Sequence, residues 1–421
     1  MFTLMAEAVD WIEHAKRFTE KTDLVRMNHV CDLLGHPEHA FRSIHVAGTN
    51  GKGSTANYIK NILQEAGLKV GLFTSPYVLR INERIIINDD QITDVAFIHY
   101  ANILKTMWDQ IYQEMNDSIT FFEILTLMAF LYFRDQSVDY AVIEVGIGGL
   151  LDATNVIIPE VSCITNISFD HMKQLGNTLE SIASNKLGIV KRGVPLITAE
   201  ENPDLIKQFA EVAQQHLSLF IRIDTSQIVN VEVGEMTAFM YKDRQYLSRL
   251  TGIHQVKNAA LAIEAIRVLQ KMQKINIEER NIYDGIYRTI WPGRFEIFEH
   301  RIILDGGHNP GAIETVKSAI QTIYPAKHVK CLFAMMKDKD YETALAKLEE
   351  FVDELHLTQI DYYRCTEAVV LYDASHHPHK FYHENASEAF NELRNLRSNE
   401  ILLVSGSLYL ISEIRKIIMN K

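Results

Sequence analysis

The run Gly48-Thr49-Asn50-Gly51-Lys52-Gly53-Ser54 organises the chain. Before it, Ser43-Ile44-His45-Val46-Ala47 reads as a short buried strand. After it, residues 55–66 read as a helix, and Gly67 stands where a helix stop belongs. Strand, glycine loop and helix form a layout that cradles phosphates. Glycines let the backbone wrap close to an anion, while loop amides and the helix N-terminus turn positive dipole toward it. Lys52 can reach a terminal phosphate, and Ser54 or Thr55 can help hold a magnesium ion. The spacing is not that of the generic P-loop, because only Thr49 and Asn50 separate Gly48 from Gly51. Alone, the run would be a glycine-rich turn. The strand and helix around it favour the phosphate loop.

Length and composition bound the rest. A chain of 421 residues predicts two domains, and 47% apolar residues suffice for sizeable cores. A net charge of -12 argues against nucleic acid or an anionic membrane surface as the main partner. Cys31, Cys163, Cys331 and Cys365 are far apart, so neither a disulfide framework nor a cysteine metal site is expected, and a cytoplasmic setting fits. Glu7, Asp10 and Glu13 interrupt the apolar N-terminus, which reads as an amphipathic helix and not a signal peptide. No apolar run is long enough to span a membrane.

Residues 1–18 and 23–34 read as helices, 69–73 as a strand, 92–115 and 120–134 as helices, and 138–145 and 161–165 as buried strands. A helix follows over 178–190, then helix and strand alternate from 199 to about 250, and Gly252 opens another helix. Such alternation predicts a mostly parallel sheet covered on both faces, with ligands outside the carboxyl ends of its strands. Ser75, Glu144 and His171 all follow strands at such ends. Ser75 by itself is a turn hydroxyl before proline. Glu144 breaks an apolar run, and a buried carboxylate is tolerated if it faces a cation such as magnesium, which takes oxygen ligands. Glu123 sits in Thr-x-x-Glu, a capping box. Lys186 reads as a surface lysine. Trp291-Pro292-Gly293-Arg294-Phe295-Glu296 is punctuated as a domain junction. Further strands are expected at 301–304, 330–334 and 401–404, with Asp305 at the end of the first. The fold class is therefore α/β: an N-terminal P-loop-type parallel-sheet ATPase domain over 1–295 and a smaller Rossmann-like α/β domain over 296–421.

The phosphate loop resembles that of the folylpolyglutamate synthase and dihydrofolate synthase family, within the Mur ligase superfamily. The resemblance extends over nearly the whole chain: to Glu-Val-Gly-Ile-Gly-Gly-Leu-Leu-Asp-Ala-Thr-Asn from Glu144, to Ile-Thr-Asn-Ile-x-x-Asp-His ending at His171, to Pro292-Gly293-Arg294, and to Asp305-Gly306-Gly307-His308-Asn309-Pro310. It implies that Asn50, Gly51, Lys52, Gly53, Ser54, Asn258, Arg294 and Asp305 bind ATP, with Asn258 near adenine. It implies magnesium on Ser75, Glu144 and His171, and a carbamylated Lys186 holding a second magnesium. His308 falls near the reacting groups, and Glu123, Asp152 and Thr154 are candidates for the substrate. The chain departs from the family at Tyr77, where some members have histidine, at Leu150 for arginine, at Asn185 for glutamate and at Gly307 for alanine.

The activity implied is ATP-dependent addition of L-glutamate to the γ-carboxyl of tetrahydrofolate through an acyl phosphate, by a monomer whose C-terminal domain closes over the site. Whether dihydropteroate is also converted to dihydrofolate stays open. Two other readings are a Mur-type cell-wall ligase and a nucleotide-gated binding protein without chemistry. The first would carry a sugar-nucleotide domain ahead of the loop, and 47 residues are too few for one. The second asks Glu144, His171, Arg294 and Asp305 to stand idle.

Overall fold

The computed structural model describes residues 1–16 and 23–419. The chain divides into two compact units, Met1–Thr225 with Lys257–Ile286, and Ser226–Val256 with Tyr287–Lys421. A single cut at 295/296 would leave Ser226–Val256 in the first unit. Instead its Ile228–Val233 strand packs against the Pro310–Ile323 helix of the second.

In the first unit, β1 (Arg42–Ala47), β2 (Val70–Phe73), β3 (Ile85–Ile87), β4 (Asp90–Gln91), β5 (Tyr140–Glu144), β6 (Val161–Ile164), β7 (Leu196–Thr198) and β8 (Phe220–Arg222) form one sheet in the order β4-β3-β2-β5-β1-β6-β7-β8. The six strands from β2 to β8 along that order run parallel, and only β3 opposes them, joined to β4 in an edge hairpin. β2, β5, β6 and β7 are buried throughout, which is why they read as near-continuous apolar runs. The chain lays β2 on one side of β1, returns with β5 to the place between them, then crosses to β6. The direction of winding reverses beside β1, and ligands settle at the carboxyl side of such a reversal.

Helices cover both faces. Met5–His14, Asp94–Met115 and Phe121–Asp135 contribute to one apolar core, and Leu179–Leu187 and Pro203–Gln215 to another. Their ends carry the expected chemistry. Thr93, Thr178 and Asn202 cap the second, fourth and fifth of these by accepting an amide from the first turn, and Asn116 stops the second in a left-handed conformation. Ten of the 14 residues of the Lys52–Glu65 helix are buried, so it is enclosed on more than one side. Gly285, on the Glu279–Arg288 helix, lets that helix approach so closely that a Cβ would stand 2.6 Å from the Ile62 amide nitrogen. The helix that follows the phosphate loop is thereby held from both sides.

Most expected elements occur within a few residues of their limits. The first helix spans Met5–His14, and residues 17–18 of its expected range lie outside the described residues. The helix after the loop starts three residues early, at Lys52, and the one carrying Lys186 ends at Leu187.

In the second unit, β9 (Ile228–Val233), β10 (Thr237–Tyr241) and β11 (Arg244–Ser248) form an antiparallel sheet. β12 (Glu296–Phe298), β13 (Ile302–Asp305), β14 (His328–Phe333), β15 (Glu354–Thr358), β16 (Lys380–His383) and β17 (Glu400–Ser405) form a second sheet, ordered β12-β13-β17-β14-β15-β16. It is parallel except at β12. Three of these strands match the expected ones; β12, β15 and β16 were not foreseen. No helix among the described residues is long and apolar enough to cross a membrane.

Candidate active site

The loop after β1 is fixed by the residues after β6. The Thr165 hydroxyl donates to the Asn50 carbonyl at 2.6 Å, and the Asn166 side-chain amide donates to the same oxygen at 3.1 Å. In return the Asn50 amide donates to Asn166 Oδ1 at 3.1 Å, and the Thr49 amide to the Asn166 carbonyl at 2.8 Å. Thr49 and Ser168 exchange two further bonds. The Asn50 amide, counted from sequence among the phosphate donors, is therefore spent on holding the loop. Gly51 caps the helix with φ +82, and a Cβ there would stand 2.8 Å from the Asn258 side-chain nitrogen, so Asn258 lies directly on the loop. The first carbonyl to accept within the helix is that of Gly51, from Thr55. The amides of Lys52, Gly53 and Ser54 consequently have no carbonyl partner inside the helix. Lys52 folds back, its Nζ 3.2 Å from the Thr49 carbonyl.

Glu144 ends β5 with 4% of its surface exposed, and its Oε2 accepts the Ser75 amide at 2.9 Å. The following glycine-rich turn is tied by Asp152, which accepts the Ile147 amide on one oxygen and the Thr154 amide and hydroxyl on the other. Because the Thr154 hydroxyl donates to Asp152, it accepts from His45 Nε2 at 2.8 Å. Burial pulls His45 down to about 3, so the ring is neutral. Asp152 and Thr154 thus brace the loop, and their polar atoms are engaged in doing so.

Lys186 corrects its surface reading. It is 4% exposed and donates from Nζ to the Gly48 carbonyl at 2.9 Å, at the start of the phosphate loop. Burial, and then the charge of Lys52, pull its amine down to about 7, against the opposing pull of Asp170 and Asp152. Its helix buries Ile182, Ala183, Lys186 and Leu187, a spacing of three and four that marks one face. That spacing was a readable signal. His171 is partly exposed, left-handed at φ 51, with Nε2 3.9 Å from Asp170.

Glu123 adopts the capping geometry that its motif predicts, accepting the Thr120 amide at 2.8 Å. It also pairs with Arg26 through both oxygens, at 3.0 and 3.1 Å, and Arg26 reaches Asp117 as well. Arg26 stands 97 residues away, and no local pattern marks it as the partner.

In the second unit Asp305 ends β13. It accepts the Phe295 amide at 2.8 Å and the Gly307 amide at 2.7 Å, so it binds the Pro292-Gly293-Arg294 turn to the turn after its own strand. Burial pushes its carboxyl up, while Arg294 and the two amides draw it back. His308 Nδ1 lies 2.9 Å from the Gly306 carbonyl and so carries the proton. Asn309 caps the helix that begins at Pro310.

The Mur ligase middle domain matches residues 46–266, and the Mur ligase glutamate ligase domain matches 293–408. A dihydrofolate synthase/folylpolyglutamate synthase of Bacillus subtilis is 38% identical over 99% of both chains. The chain belongs to the folylpolyglutamate synthase and dihydrofolate synthase family of Mur ligases. Among solved structures, Escherichia coli FolC in complex with DHPP and ADP superposes with a TM-score of 0.87 at 29% identity, over 99% of this chain and 98% of that one. An FPGS–AMPPCP–folate complex does so with 0.84 at 31% identity, over 99% and 100%.

Two departures from the family pattern can now be placed. Leu150, where many family members carry arginine, is half exposed beside the turn that Asp152 braces. Tyr77 lies beneath the Arg84 guanidinium, 5.2 Å from it, with its hydroxyl 3.4 Å from Glu13.

Glu123→Ala removes a cap and one side of a buried ion pair. We expect it to lower unfolding free energy by about 3 kcal/mol in urea titration. Glu123→Gln, which can still accept the Thr120 amide, should lose less. An unchanged midpoint in Glu123→Ala would refute the structural assignment.

Proposed function

We propose that this chain is an ATP-dependent ligase that joins L-glutamate to the γ-carboxyl of tetrahydrofolate. The observation that carries the reading is the braced phosphate loop standing beside the buried Glu144 carboxylate, at the ends of adjacent strands. A carboxylate does not react with an amine because its oxygen leaves poorly. In the proposed reaction a folate carboxylate oxygen bonds to the γ-phosphorus of ATP, the bond to the β-phosphate oxygen breaks, and ADP leaves. The glutamate amine then bonds to the acyl carbon, phosphate leaves with the bonding pair, and the amine gives up a proton. The product is an amide.

Phosphoryl transfer of this kind depends on positioning and charge neutralisation. Lys52 and the amides of Lys52, Gly53 and Ser54 are assigned to the phosphates, Asn258 to the adenine side and Arg294 to a phosphate, since guanidinium binds phosphate through two nitrogens. Asp305 holds the turn that carries Arg294, and His308 is assigned to the reacting groups. Asn50 is assigned to bracing the loop.

Glu144 and Ser75 offer a carboxylate and a hydroxyl on neighbouring residues, the oxygen donors that magnesium takes, so the donor set fits the ion. Ser75, Glu144 and His171 would hold it. When bound, magnesium supplies positive charge to the phosphate oxygens. Lys186, as a carbamate, would offer anionic oxygens to a second ion. Its buried amine is poised for that change, because only the neutral amine attacks carbon dioxide. All four cysteines are buried and free, as suits a cytoplasmic enzyme.

The test is ATP turnover measured with tetrahydrofolate and L-glutamate together, with each alone and with neither, and with dihydropteroate in parallel. Turnover should require an acid substrate and glutamate together. Lys52→Ala should reduce it on the order of a hundredfold or more without moving the thermal midpoint. Undiminished turnover in the absence of both substrates would contradict the assignment.

Lys186 gives a pH dependence of known sign. Its amine is mostly protonated below about 7 and mostly neutral above it. At fixed carbon dioxide pressure, the carbon-13 carbamate resonance should therefore grow from pH 6 to pH 8 and vanish in Lys186→Arg. The same resonance in both proteins would place the carbamate elsewhere.

A further inference from the structure

A second group of metal-ligating side chains lies at the opposite end of β1. The chain leaves the Val25–Leu33 helix, turns at Gly35 and His36, and passes through Pro37–His39 before it enters the strand. β1 is six residues long, so this turn and the phosphate loop are separated by roughly 20 Å of strand. One ligand atom each from His36, Glu38 and His39 falls within 4.8 Å of the other two. His36 Nδ1 is 2.9 Å from Glu38 Oε1, and His39 Nε2 is 3.6 Å from the same oxygen. Those two distances bracket the edge of about 3.3 Å that a tetrahedral site with bonds of about 2.0 Å requires.

Two more features point to a cation. Glu38 is only 5% exposed, and its Oε2 has no hydrogen-bond partner among the described residues. A carboxylate taken out of water in that way is costly unless a cation offsets it. His36, in addition, turns its other nitrogen toward a second carboxylate, with Nε2 3.4 Å from Asp32 Oδ1. Metal-bound histidines are oriented in this manner, with one nitrogen on the ion and the other on a carboxylate. The two imidazole rings stack at 5.1 Å and are each half exposed, so an ion could enter from solvent and keep a water ligand.

We propose that His36, Glu38 and His39 form a site for a borderline divalent cation, of which Zn2+ is the type. Two imidazoles and one carboxylate select such an ion over magnesium or calcium, which prefer oxygen alone. The ion would tie the end of the Val25–Leu33 helix to the start of β1. The site is separate from the residues assigned to phosphate and magnesium, and it stands whether or not the ligase reading does.

The experiment is Zn2+ titration of tag-free, chelator-treated protein, read by calorimetry, alongside His36→Ala/His39→Ala. Both histidines are half exposed, so the double variant should fold and retain ligase activity. It should bind one equivalent of Zn2+ fewer than the wild type. Asp32→Asn should keep the equivalent and weaken it by about tenfold. Anomalous scattering at the zinc edge should place the ion between the three side chains. Equal numbers of equivalents in wild type and double variant would overturn the proposal, as would an anomalous map showing zinc only beside Glu144 and His171.

Discussion

The structure depends on what happens to one carbonyl, that of Asn50. A phosphate site built from backbone must present amides and keep carbonyl oxygens away from the anion. The Asn50 oxygen is drawn aside by Thr165 and Asn166, at 2.6 and 3.1 Å. Gly51 then turns left-handed, and the helix begins at Lys52, with Thr55 the first residue to donate its amide inside it. Both donors stand immediately after β6, which pairs with β1 in parallel register. The sheet itself therefore supplies the brace, and it delivers Glu144 to the same edge through β5 on the other side of β1.

The positive charges follow the same economy. Two lysines lie at the loop, and they repel. Lys52 is partly exposed and keeps its loop carbonyl, while Lys186 is buried against the Gly48 carbonyl and gives up much of its affinity for a proton. A buried lysine whose proton affinity is lowered in this way is a candidate reactive group as well as a donor to the loop. Asp170 and Asp152 limit the shift, and Asp152 is also the residue that ties the glycine turn through the Ile147 amide. The turn, the lysine and the loop are thus adjusted together.

The phosphate loop was legible because strand, loop and helix are contiguous, and the buried parallel strands were legible because they are apolar throughout. What escaped was carried by distant partners. The Asn50 amide is taken by a residue 116 positions away, so its loss as a phosphate donor has no local signature. Lys186 seemed to be on the surface because the turn that covers it comes from near Leu150, whose amide donates to the Asn185 carbonyl. Glu123 forms the cap its motif predicts, and its pairing with Arg26, 97 residues away, has no local signature. Ser226–Val256 alternates like its surroundings, and nothing in that pattern says to which body the strands belong.

The most direct measurement is a crystal structure with a non-hydrolysable ATP analogue. Terminal phosphate oxygens should lie within hydrogen-bond distance of the amides of Lys52, Gly53 and Ser54, with the Asn50 carbonyl still held by Thr165 and Asn166. An analogue bound with its phosphates elsewhere, or an Asn50 carbonyl turned toward them, would contradict this arrangement.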